Sequence, residues 1–566
     1  MKTIHMIVLQ ARRYDPLLLM MALILAACDP GNTARPPVTP TATEIQISAP
    51  APPDMLRWSL DGVNQLPSLD PARPAGVQSN TLIGLVFGGL IRLDEKLEVQ
   101  PDCAVEWTVS ADGTVYTFTL RENLRFADGT PVMAEDFVYA ITRALQPETA
   151  SFGAPSQLSH IVGAADVVEG RATQLAGVRA LDQRRLQITL DGPLAYFVAQ
   201  LAYPYTFVVP RTLVEHGADW QSRAFGTGPY RVVEHRAGES VLLEANPHYW
   251  QGTPGIPRIL LLFNPDSEQS YQRYQRGELD IMGNRDNPVP AARIDEARMR
   301  PDFRSAAALT TRYIGFNNRM PPFDNVLVRR ALAQAVDKNQ AARDILADTV
   351  IPADRILPAG MLGTQIELRP LAFDPAAARR SLADAGFPDG RGLPTLTLTY
   401  AIEGDNEQVV QALQRMWQDH LNISVVLEPL QLEAFIKKLD ITYFTPENGL
   451  QLYLSVWGAD YPDPQNFLSL QLRSGVRNNN GHFSSVDFDR LVAEADRLST
   501  RSEIERRLQL YAQAEQIAID RVGWLPLFYP RFNVLVHPRV EGLVLTPIGL
   551  VAPDWSKTRL RIGSGQ

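Results

Sequence analysis

The sequence has few cysteines: Cys28 and Cys103 are the two in 566 residues. Two cysteines cannot supply the disulfide framework that stabilises many small secreted domains. Cys103 stands in QPDCAVEW, residues 100–107, where we expect it to be a small buried apolar residue. A chain of this length exceeds what one hydrophobic core usually serves, so we expect two or more lobes.

Motifs of several enzyme classes are also absent. The sequence contains no G-x-S-x-G motif, no Walker A loop and no H-E-x-x-H. GTGPYR, residues 226–231, lacks the third glycine of a dinucleotide fingerprint, and no two of the eight histidines have metal-ligand spacing. We therefore expect a binding protein with no metal or cofactor, not an enzyme. A secreted hydrolase is the alternative, because many enzymes carry no short motif.

An excess of positive charge is lacking too. The chain has 54 lysines and arginines against 63 aspartates and glutamates, a net charge of −9. This balance argues against a broad nucleic-acid surface, and we expect no nucleic-acid partner. The hydrophobic fraction of 45% and the charged fraction of 21% are typical of a soluble globular protein, which we expect to be a monomer.

Long apolar runs are missing except near the N-terminus. There, basic residues precede LLLMMALIL, residues 17–25, which is too short to cross a membrane and is typical of a secretory signal. Ala26, Ala27 and Cys28 follow, and this arrangement resembles the lipobox of bacterial lipoproteins. The resemblance implies cleavage before Cys28 and a lipid anchor on it, facing outside the cytoplasm. An ordinary secretion signal with an incidental cysteine is the alternative.

The segment after the apolar run is rich in proline and threonine. We assign residues 1–27 to the signal peptide and residues 28–54 to a linker. A composition of this kind cannot bury a core and favours extended geometry. We expect it to hold the folded part away from a membrane.

Strand-like and helix-like stretches alternate from residue 57 onward. TVYTFTL (114–120) has the alternation of a half-buried strand, and AEDFVYAITRAL (134–145) has the apolar spacing of a helix. LPTLTLTYAI (393–402) and LNISVVLEPL (421–430) bracket a helical stretch, which predicts a strand–helix–strand unit. The fold class is therefore α/β.

Three helix starts carry capping signals. Asp374 precedes Pro375, which predicts an N-cap with proline in the first turn. Ser502 and Glu505 have the spacing of a capping box. Asp324 is placed to cap the helix that follows it.

Seven segments, in order between residues 57 and 545, match motifs of one protein family. They are residues 68–90, 104–145, 226–250, 274–281, 313–338, 457–468 and 524–529. Together they resemble the family 5 extracellular solute-binding proteins of bacterial ABC importers, which include oligopeptide and dipeptide binders. The most specific is AVEWTVSADGTVYTFTLRENLRFADGTPVMAEDFVYAITRAL, residues 104–145.

The resemblance implies a periplasmic-binding-protein-like fold of type II. Two lobes would close over a ligand about a hinge, with an extra flanking domain inserted in the first lobe. The expected boundaries are 55–96, 222–312 and 525–566 for the first lobe, 97–221 for the flanking domain, and 313–524 for the second lobe. The hinge is expected near RYIGFN (312–317) and PLFYPRF (526–532).

The resemblance also implies a set of ligand-binding residues. Main-chain groups would contact a peptide from Ala75, Gly76 and Val77 of the first lobe, and from Val456, Trp457 and Gly458 of the second. Bonds of this kind amount to strand addition, which gives affinity without reading side chains.

An acidic residue in VWGADYPDP, residues 456–464, is the main candidate for specificity. In the resembling proteins, the aspartate three positions after the tryptophan binds the ammonium of the peptide, and Asp460 has that position. The alternatives are that Asp460 caps the turn or pairs with a local arginine. We interpret Asp463 as structural, and Trp457 as a wall of the cleft or a core residue.

Two departures from the family concern the carboxyl end of the ligand. Leu454 stands where some members have an arginine, and Ala75 stands where some have an acidic residue. We expect a lipid-anchored protein that captures peptides and delivers them to the permease subunits of an ABC importer. Alternatives are an oligosaccharide, nickel-chelate or opine ligand on the same fold, or a receptor that signals without import.

Overall fold

The computed structural model describes residues 54–217 and 219–561. The predicted signal segment, the lipidation site Cys28, and the predicted linker except Asp54 lie outside the described residues. No helix in the described part is long and apolar enough to cross a membrane.

Strands occur along the whole described chain. Their bounds are β1 Met55–Asp61, β2 Ile91–Leu93, β3 Val99–Pro101, β4 Ala104–Val109, β5 Val115–Leu120, β6 Val178–Ala180, β7 Arg185–Thr189, β8 Tyr230–Arg236, β9 Ser240–Ala245, β10 Arg258–Asn264, β11 Ile281–Met282, β12 Phe303–Ala307, β13 Thr310–Phe316, β14 Val350–Pro352, β15 Leu396–Ala401, β16 Val425–Leu430, β17 Leu452–Gly458, β18 Trp524–Val536, β19 Val540–Glu541, β20 Val544–Thr546, β21 Gly549–Val551 and β22 Arg559–Leu560.

Helices alternate with these strands. The α-helices are α1 Gly76–Val86, α2 Ala134–Leu145, α3 Ala154–Gln157, α4 Ala164–Val168, α5 Phe197–Gln200, α6 Arg211–Val214, α7 Ser267–Gln275, α8 Ile294–Arg298, α9 Val326–Gln334, α10 Lys338–Asp344, α11 Pro375–Asp384, α12 Asn406–Leu421, α13 Leu432–Phe444, α14 Ser469–Leu472, α15 Val486–Arg497 and α16 Ile504–Asp520. Short 3-10 helices span Pro147–Thr149, Pro204–Thr206, Trp220–Arg223, Ala291–Arg293, Pro388–Gly390, Pro446–Asn448, Pro464–Asn466, Arg501–Glu503 and Trp555–Lys557.

One mixed sheet runs through most of the chain, in the order β16-β15-β17-β13-β18-β11-β1-β10-β9-β8, with β12 and β14 also paired to β18. The 13-residue strand β18 joins its two halves. The first part of β18 pairs with β13 and β14, and the last part pairs with β12 and β11. Strands β13 and β18 thus connect the two halves, where the sequence predicts the hinge.

A separate four-stranded sheet, in the order β4-β5-β7-β6, lies in the predicted flanking domain. Its core residues face helix α2, in which Phe137, Ile141 and Leu145 are buried at helical spacing. Tyr461, from the predicted second lobe, belongs to the same core. Other buried apolar residues form clusters of their own in the remaining parts, in accord with the expectation of more than one lobe.

The predicted elements in the most regular segments are confirmed. Strand β5 begins at Val115, and helix α2 spans Ala134–Leu145. Strands β15 and β16 are parallel and are connected by α12, as the strand–helix–strand pattern predicts. Cys103 is fully buried.

Of the three capping predictions, one is confirmed. Asp374 caps α11 by accepting a hydrogen bond from the Ala377 amide at 2.8 Å. The other two are wrong. Thr500 and Glu503 form the capping box ahead of α16, in place of Ser502 and Glu505. Helix α9 is capped by Asn325, in place of Asp324.

Candidate ligand-binding cleft

A cavity of about 340 Å³ lies among residues from distant parts of the sequence. Its walls come from helix α1, the loop 202–207, the loop Gly283–Arg285, the pair Ala459–Asp460, and the hairpin β20–β21. Part of β18 lines it as well, through Phe532 and Val534. The cavity therefore lies at the point where the two halves of the large sheet meet.

Asp460 follows strand β17 and lines this cavity. Its Oδ2 accepts a hydrogen bond of 2.5 Å from Nε2 of Gln157, in helix α3. The hydroxyl of Tyr203 also hydrogen-bonds to the carboxylate. The amide of Asp460 donates to Oδ1 of Asn466 at 3.2 Å, which fixes the loop. The carboxylate is thus held in a defined position inside the cavity.

Burial raises the pKa of Asp460 to about 7. Hydrogen bonds from Tyr203 and Asn466, and the positive charge of Arg285, oppose this rise. A carboxylate with a raised pKa is one whose charged form lacks sufficient stabilisation from its surroundings. A cation that enters the cavity would supply that stabilisation.

Arg285 is the positively charged side chain that lines the same cavity. Its Nε and Nη2 bind Asp286 at 2.7 and 3.0 Å, and its Nη1 donates to Oγ1 of Thr310 at 3.2 Å. Among the described residues, Asp460 has no ion pair with Arg285 or with any other cation at 4.0 Å or closer. The alternative that Asp460 forms an ion pair with a local arginine does not hold in this structure.

Asp463 has a different environment from Asp460. It forms a buried ion pair of 2.6 Å with Arg507, in helix α16. Its Oδ1 also accepts a hydrogen bond of 3.0 Å from the Gln465 amide and so caps the turn that follows. The interpretation of Asp463 as structural is confirmed.

Comparison with known proteins places this arrangement in a family. The model of the bacterial extracellular solute-binding proteins, family 5 Middle, matches residues 98–479. The chain belongs to family 5 of the bacterial extracellular solute-binding proteins. The prediction from the seven sequence segments is therefore confirmed, and the chain has the two-lobed α/β fold of this family.

Curated relatives of this family 5 protein cover most of its length. The periplasmic oligopeptide-binding protein OppA of Salmonella typhimurium is 31% identical, over 85% of this chain and 88% of OppA. The probable deoxycholate-binding periplasmic protein YgiS of Escherichia coli is 30% identical, over 84% of this chain and 89% of YgiS.

A solved structure agrees with the fold. The murein tripeptide binding protein MppA of Escherichia coli is 27% identical and superposes with a TM-score of 0.74, covering 89% of this chain and 98% of MppA.

The second-lobe residues that the resemblance implies lie on a partly open strand edge. Strand β17 pairs with β13 along its whole length, whereas β15 pairs with it at Leu452 and Tyr453 only. Within the described residues, the other edge of β17 from Leu454 onward has no strand partner. Val456 is 49% exposed there and does not line the cavity, and its main-chain groups on that edge have no strand partner among the described residues.

Trp457 and Gly458 do not line the cavity. The indole Nε1 of Trp457 donates to the carbonyl and to Oδ1 of Asn466, both at 3.0 Å, and the ring packs at the edge of a second-lobe core. Gly458 packs against Arg285, since a Cβ at this position would stand 2.3 Å from Nη1 of Arg285. The guanidinium can occupy its position only because Gly458 has no side chain.

The first-lobe residues have a geometry that the sequence does not predict. Helix α1 begins at Gly76, whose φ of 84° is left-handed, and Val77 follows in the helix. The strand geometry expected here is therefore wrong for Gly76 and Val77, which are helical, whereas main-chain contact of Ala75, Gly76 and Val77 with a peptide stays a prediction. Val77 lines the cavity, while Ala75 and Gly76 do not. A contact with a ligand here would use side chains and the first amides of α1, which the helix leaves without partners.

Sequence reasoning therefore finds Asp460 and Val77 among the cavity-lining residues and misses Tyr203 and Arg285, as well as Gln157, the partner of Asp460. All three stand in irregular segments or short helices, and no periodic pattern or motif marks them. The described residues contain no group of three or more histidine, cysteine or acidic side chains that could hold a metal ion.

Proposed function

We propose that this family 5 protein captures short peptides by their free ammonium group and delivers them to the permease subunits of an ABC importer. One observation carries the proposal. The carboxylate of Asp460 lines the cavity, is held by hydrogen bonds, and has no cation partner among the described residues. An ammonium group that enters the cavity provides the missing charge.

The bonding capacity of Asp460 supports this role. An ionised carboxylate has about four lone-pair sites. Gln157, Tyr203 and Asn466 account for three of them, which leaves one for an ammonium donor. Charge-assisted hydrogen bonds of this kind contribute about 1.5–3 kcal/mol each. A bound ammonium also stabilises the charged form of the Asp460 carboxylate, which burial otherwise disfavours.

Arg285 is suited to the carboxyl end of the same ligand. A guanidinium has five N–H donors. Two of them are directed at Asp286 and one at Thr310, so two remain in the described structure. Arg285 is already paired with Asp286, so the cavity offers a carboxylate without an ion pair together with two further guanidinium N–H donors, a combination that suits the two termini of a short peptide. Arg285 would supply the cation that some family members have as an arginine at the position of Leu454.

The size of the cavity supports a small ligand. Pockets for small molecules usually measure about 300–1,000 Å³. A cavity of about 340 Å³ is at the low end of that range and accords with a peptide of a few residues. The open edge of β17 leaves a path along which a longer peptide could extend its backbone.

Contacts between the predicted second lobe and the flanking domain supply a means of closure. Tyr461, next to Asp460, stacks on Tyr196 with ring centroids 5.9 Å apart and planes 4° apart. The amide of Ala195 donates to the carbonyl of Asp496 at 3.2 Å. Because Tyr461 of the loop with Asp460 and Asp496 of helix α15 form these contacts, a ligand on Asp460 stabilises the same closed arrangement. The closed form would then dock on the permease.

The relatives support the same function and place. OppA of Salmonella typhimurium and MppA of Escherichia coli are named as periplasmic oligopeptide-binding and murein peptide-binding proteins. The lipobox-like segment ending at Cys28 supports lipid anchoring on the outer face of the cell membrane, with the folded part acting as a monomer. In this role the protein is not an enzyme and needs no cofactor.

Native mass spectrometry of the protein as purified is the first test, because a closed binding protein can retain its ligand. A thermal-shift panel is the second, with tripeptides, N-acetylated tripeptides, an oligosaccharide, a nickel chelate and an opine. A ligand at 100 times its Kd stabilises the folded state by about 2.7 kcal/mol. We expect a shift with free-amine tripeptides alone. A shift with the sugar and none with peptides would overturn the proposal.

A further inference from the structure

We propose that the hairpin β20–β21 selects peptides whose first residue has a bulky apolar side chain. The inference rests on the proposed function, since it takes the ammonium of the ligand to be bound at Asp460. It concerns the part of the cavity that the family motifs do not cover, in the last 25 residues or so of the described chain.

The hairpin lies one residue away from the loop that carries Asp460. The amide of Leu309 donates to the carbonyl of Pro547 at 3.0 Å, and the carbonyl of Leu309 accepts from the amide of Ala459 at 2.7 Å. Leu309 thus connects the turn of the hairpin to the residue before Asp460. Asp460 and the turn line the same cavity, so we infer that the first side chain of a ligand bound by its ammonium at Asp460 lies within reach of the turn.

The hairpin residues that line the cavity carry no polar side chain. They are Leu545, Pro547, Ile548, Gly549, Leu550 and Val551. The polar residue of the turn, Thr546, does not line the cavity. Its hydroxyl donates to the carbonyl of Gly549 at 2.8 Å and accepts from the Ile548 amide at 3.3 Å. Because that hydroxyl is used inside the turn, a ligand meets no polar side chain on this wall.

The hairpin packs against strand β18 of the large sheet. Phe532 of β18 is buried and lines the cavity behind the hairpin. Gly549 has a φ of 119°, and a Cβ there would stand 3.8 Å from the Phe532 ring. The hairpin is thus seated on the strand that joins the two halves of the sheet, so its position is defined before a ligand arrives.

Polar residues line other parts of the same cavity. They are Asn284, Arg285 and Thr310, together with Gln78 of α1. These polar groups suit the termini and backbone of a peptide, and the hairpin suits its first side chain. Ile548 is 40% exposed without a ligand, so apolar surface remains there to be covered.

Burial decides which first residues bind. Removing the apolar surface of a leucine or phenylalanine side chain from water improves affinity by about 10–100-fold over a glycine. A charged or polar first side chain loses its hydration and finds no hydrogen-bond partner on the hairpin. We expect the preference to fall from leucine and phenylalanine to serine and then to aspartate.

The test is isothermal titration calorimetry of the full chain with Leu-Gly-Gly, Phe-Gly-Gly, Ser-Gly-Gly, Asp-Gly-Gly and Gly-Gly-Leu. We expect Leu-Gly-Gly and Phe-Gly-Gly to bind at least about 10-fold more tightly than Ser-Gly-Gly and Gly-Gly-Leu. Ile548→Ser should lower the affinity for Leu-Gly-Gly by about 5–10-fold and leave that for Ser-Gly-Gly unchanged. Val544→Ser is the matched control, since Val544 is on the same hairpin, 41% exposed, and does not line the cavity.

The outcomes separate this inference from the proposed function. Equal binding of all five peptides, or equal effects of Ile548→Ser and Val544→Ser, would overturn the hairpin as selector and leave peptide capture standing. Tighter binding of Gly-Gly-Leu than of Leu-Gly-Gly would overturn the assignment to the first residue. No binding of any peptide, with binding of a solute that lacks an ammonium group, would overturn both.

Discussion

Nε2 of Gln157 donates a 2.5 Å hydrogen bond to Oδ2 of Asp460, across a sequence separation of 303 residues. Gln157 is itself held in place, since its carbonyl accepts a hydrogen bond from Nε2 of Gln200. The flanking domain thus positions the carboxylate of the predicted second lobe. The proposed ligand site is complete only when these two parts of the chain are in contact, so the proposal links binding to closure.

The two aspartates of DYPDP, residues 460–464, should respond differently to substitution. Asp463→Asn breaks the buried pair with Arg507 and leaves a buried guanidinium without its partner, which typically costs 3–5 kcal/mol. We expect a fall in Tm of several degrees in differential scanning calorimetry. Discrimination between free-amine and N-acetylated peptides should persist in the folded variant. An unchanged Tm would contradict the structural role of Asp463.

Affinity for a peptide should depend on pH through Asp460. The pKa of Asp460 is raised to about 7 in the ligand-free protein, and the ammonium needs the ionised form. Affinity should therefore fall as pH decreases below 7, approaching tenfold per pH unit. Above about pH 8 the α-amino group of the peptide loses its proton, so affinity falls again. Calorimetry from pH 5 to 9 should give a maximum between these limits.

An N-acetylated peptide is the control that isolates the contribution of Asp460 to that profile. No histidine is among the described residues that line the cavity, so Asp460 is the group there with a pKa near neutrality. Tyr203, Tyr205 and Arg285, which interact electrostatically with it, titrate well above this range. An N-acetylated peptide should show a nearly flat profile. A profile with the same slope for both peptides would contradict the account.

Substitution of Arg285 should affect the carboxyl end of the ligand. Arg285→Gln removes the cation that lines the cavity and keeps a polar side chain able to contact Thr310. We expect wild type to prefer a peptide acid over its C-terminal amide by about tenfold, in line with the loss of one charge-assisted hydrogen bond. The variant should bind acid and amide equally in calorimetry. An unchanged preference would show that another group holds the carboxylate.

A methyl group at Gly458 should disturb the same arginine. The Cβ of Gly458→Ala would stand 2.3 Å from Nη1 of Arg285 and 3.1 Å from Oγ1 of Thr310, so the guanidinium must move. We expect weaker peptide binding, by about tenfold, with little change in circular dichroism. Gly192→Ala is the matched control, because a Cβ there meets nothing within 4 Å. Equal affinities of both variants would contradict the close packing of Arg285 on Gly458.

Much of the fold is predictable from the sequence because its signals are local. The periodicity of residues 134–145 and the alternation of residues 114–120 give α2 and β5 directly. Capping is harder to predict, since Thr500–Glu503 and Ser502–Glu505 satisfy the same spacing rule two residues apart. The contacts of the completed fold choose between them, and sequence spacing alone cannot.

The site is predictable only where a family motif reaches it. The spacing of Asp460 after Trp457 identifies the acidic residue. Tyr203 and Arg285 reach the cavity, and Gln157 reaches Asp460, through tertiary packing, and nothing in their own segments indicates it. The strand geometry expected at residues 75–77 fails because the helix α1 begins at Gly76.

The most direct test compares a free-amine tripeptide with its N-acetylated form, by calorimetry at pH 7.5, on wild type and Asp460→Asn. Burial raises the pKa of Asp460, so the neutral variant should fold with a Tm no lower than that of wild type. We predict that acetylation weakens binding to wild type by about 10–150-fold and binding to the variant by less than about threefold. Equal binding of both peptides to wild type, or full discrimination by Asp460→Asn, would contradict the assignment of Asp460 as the ammonium site.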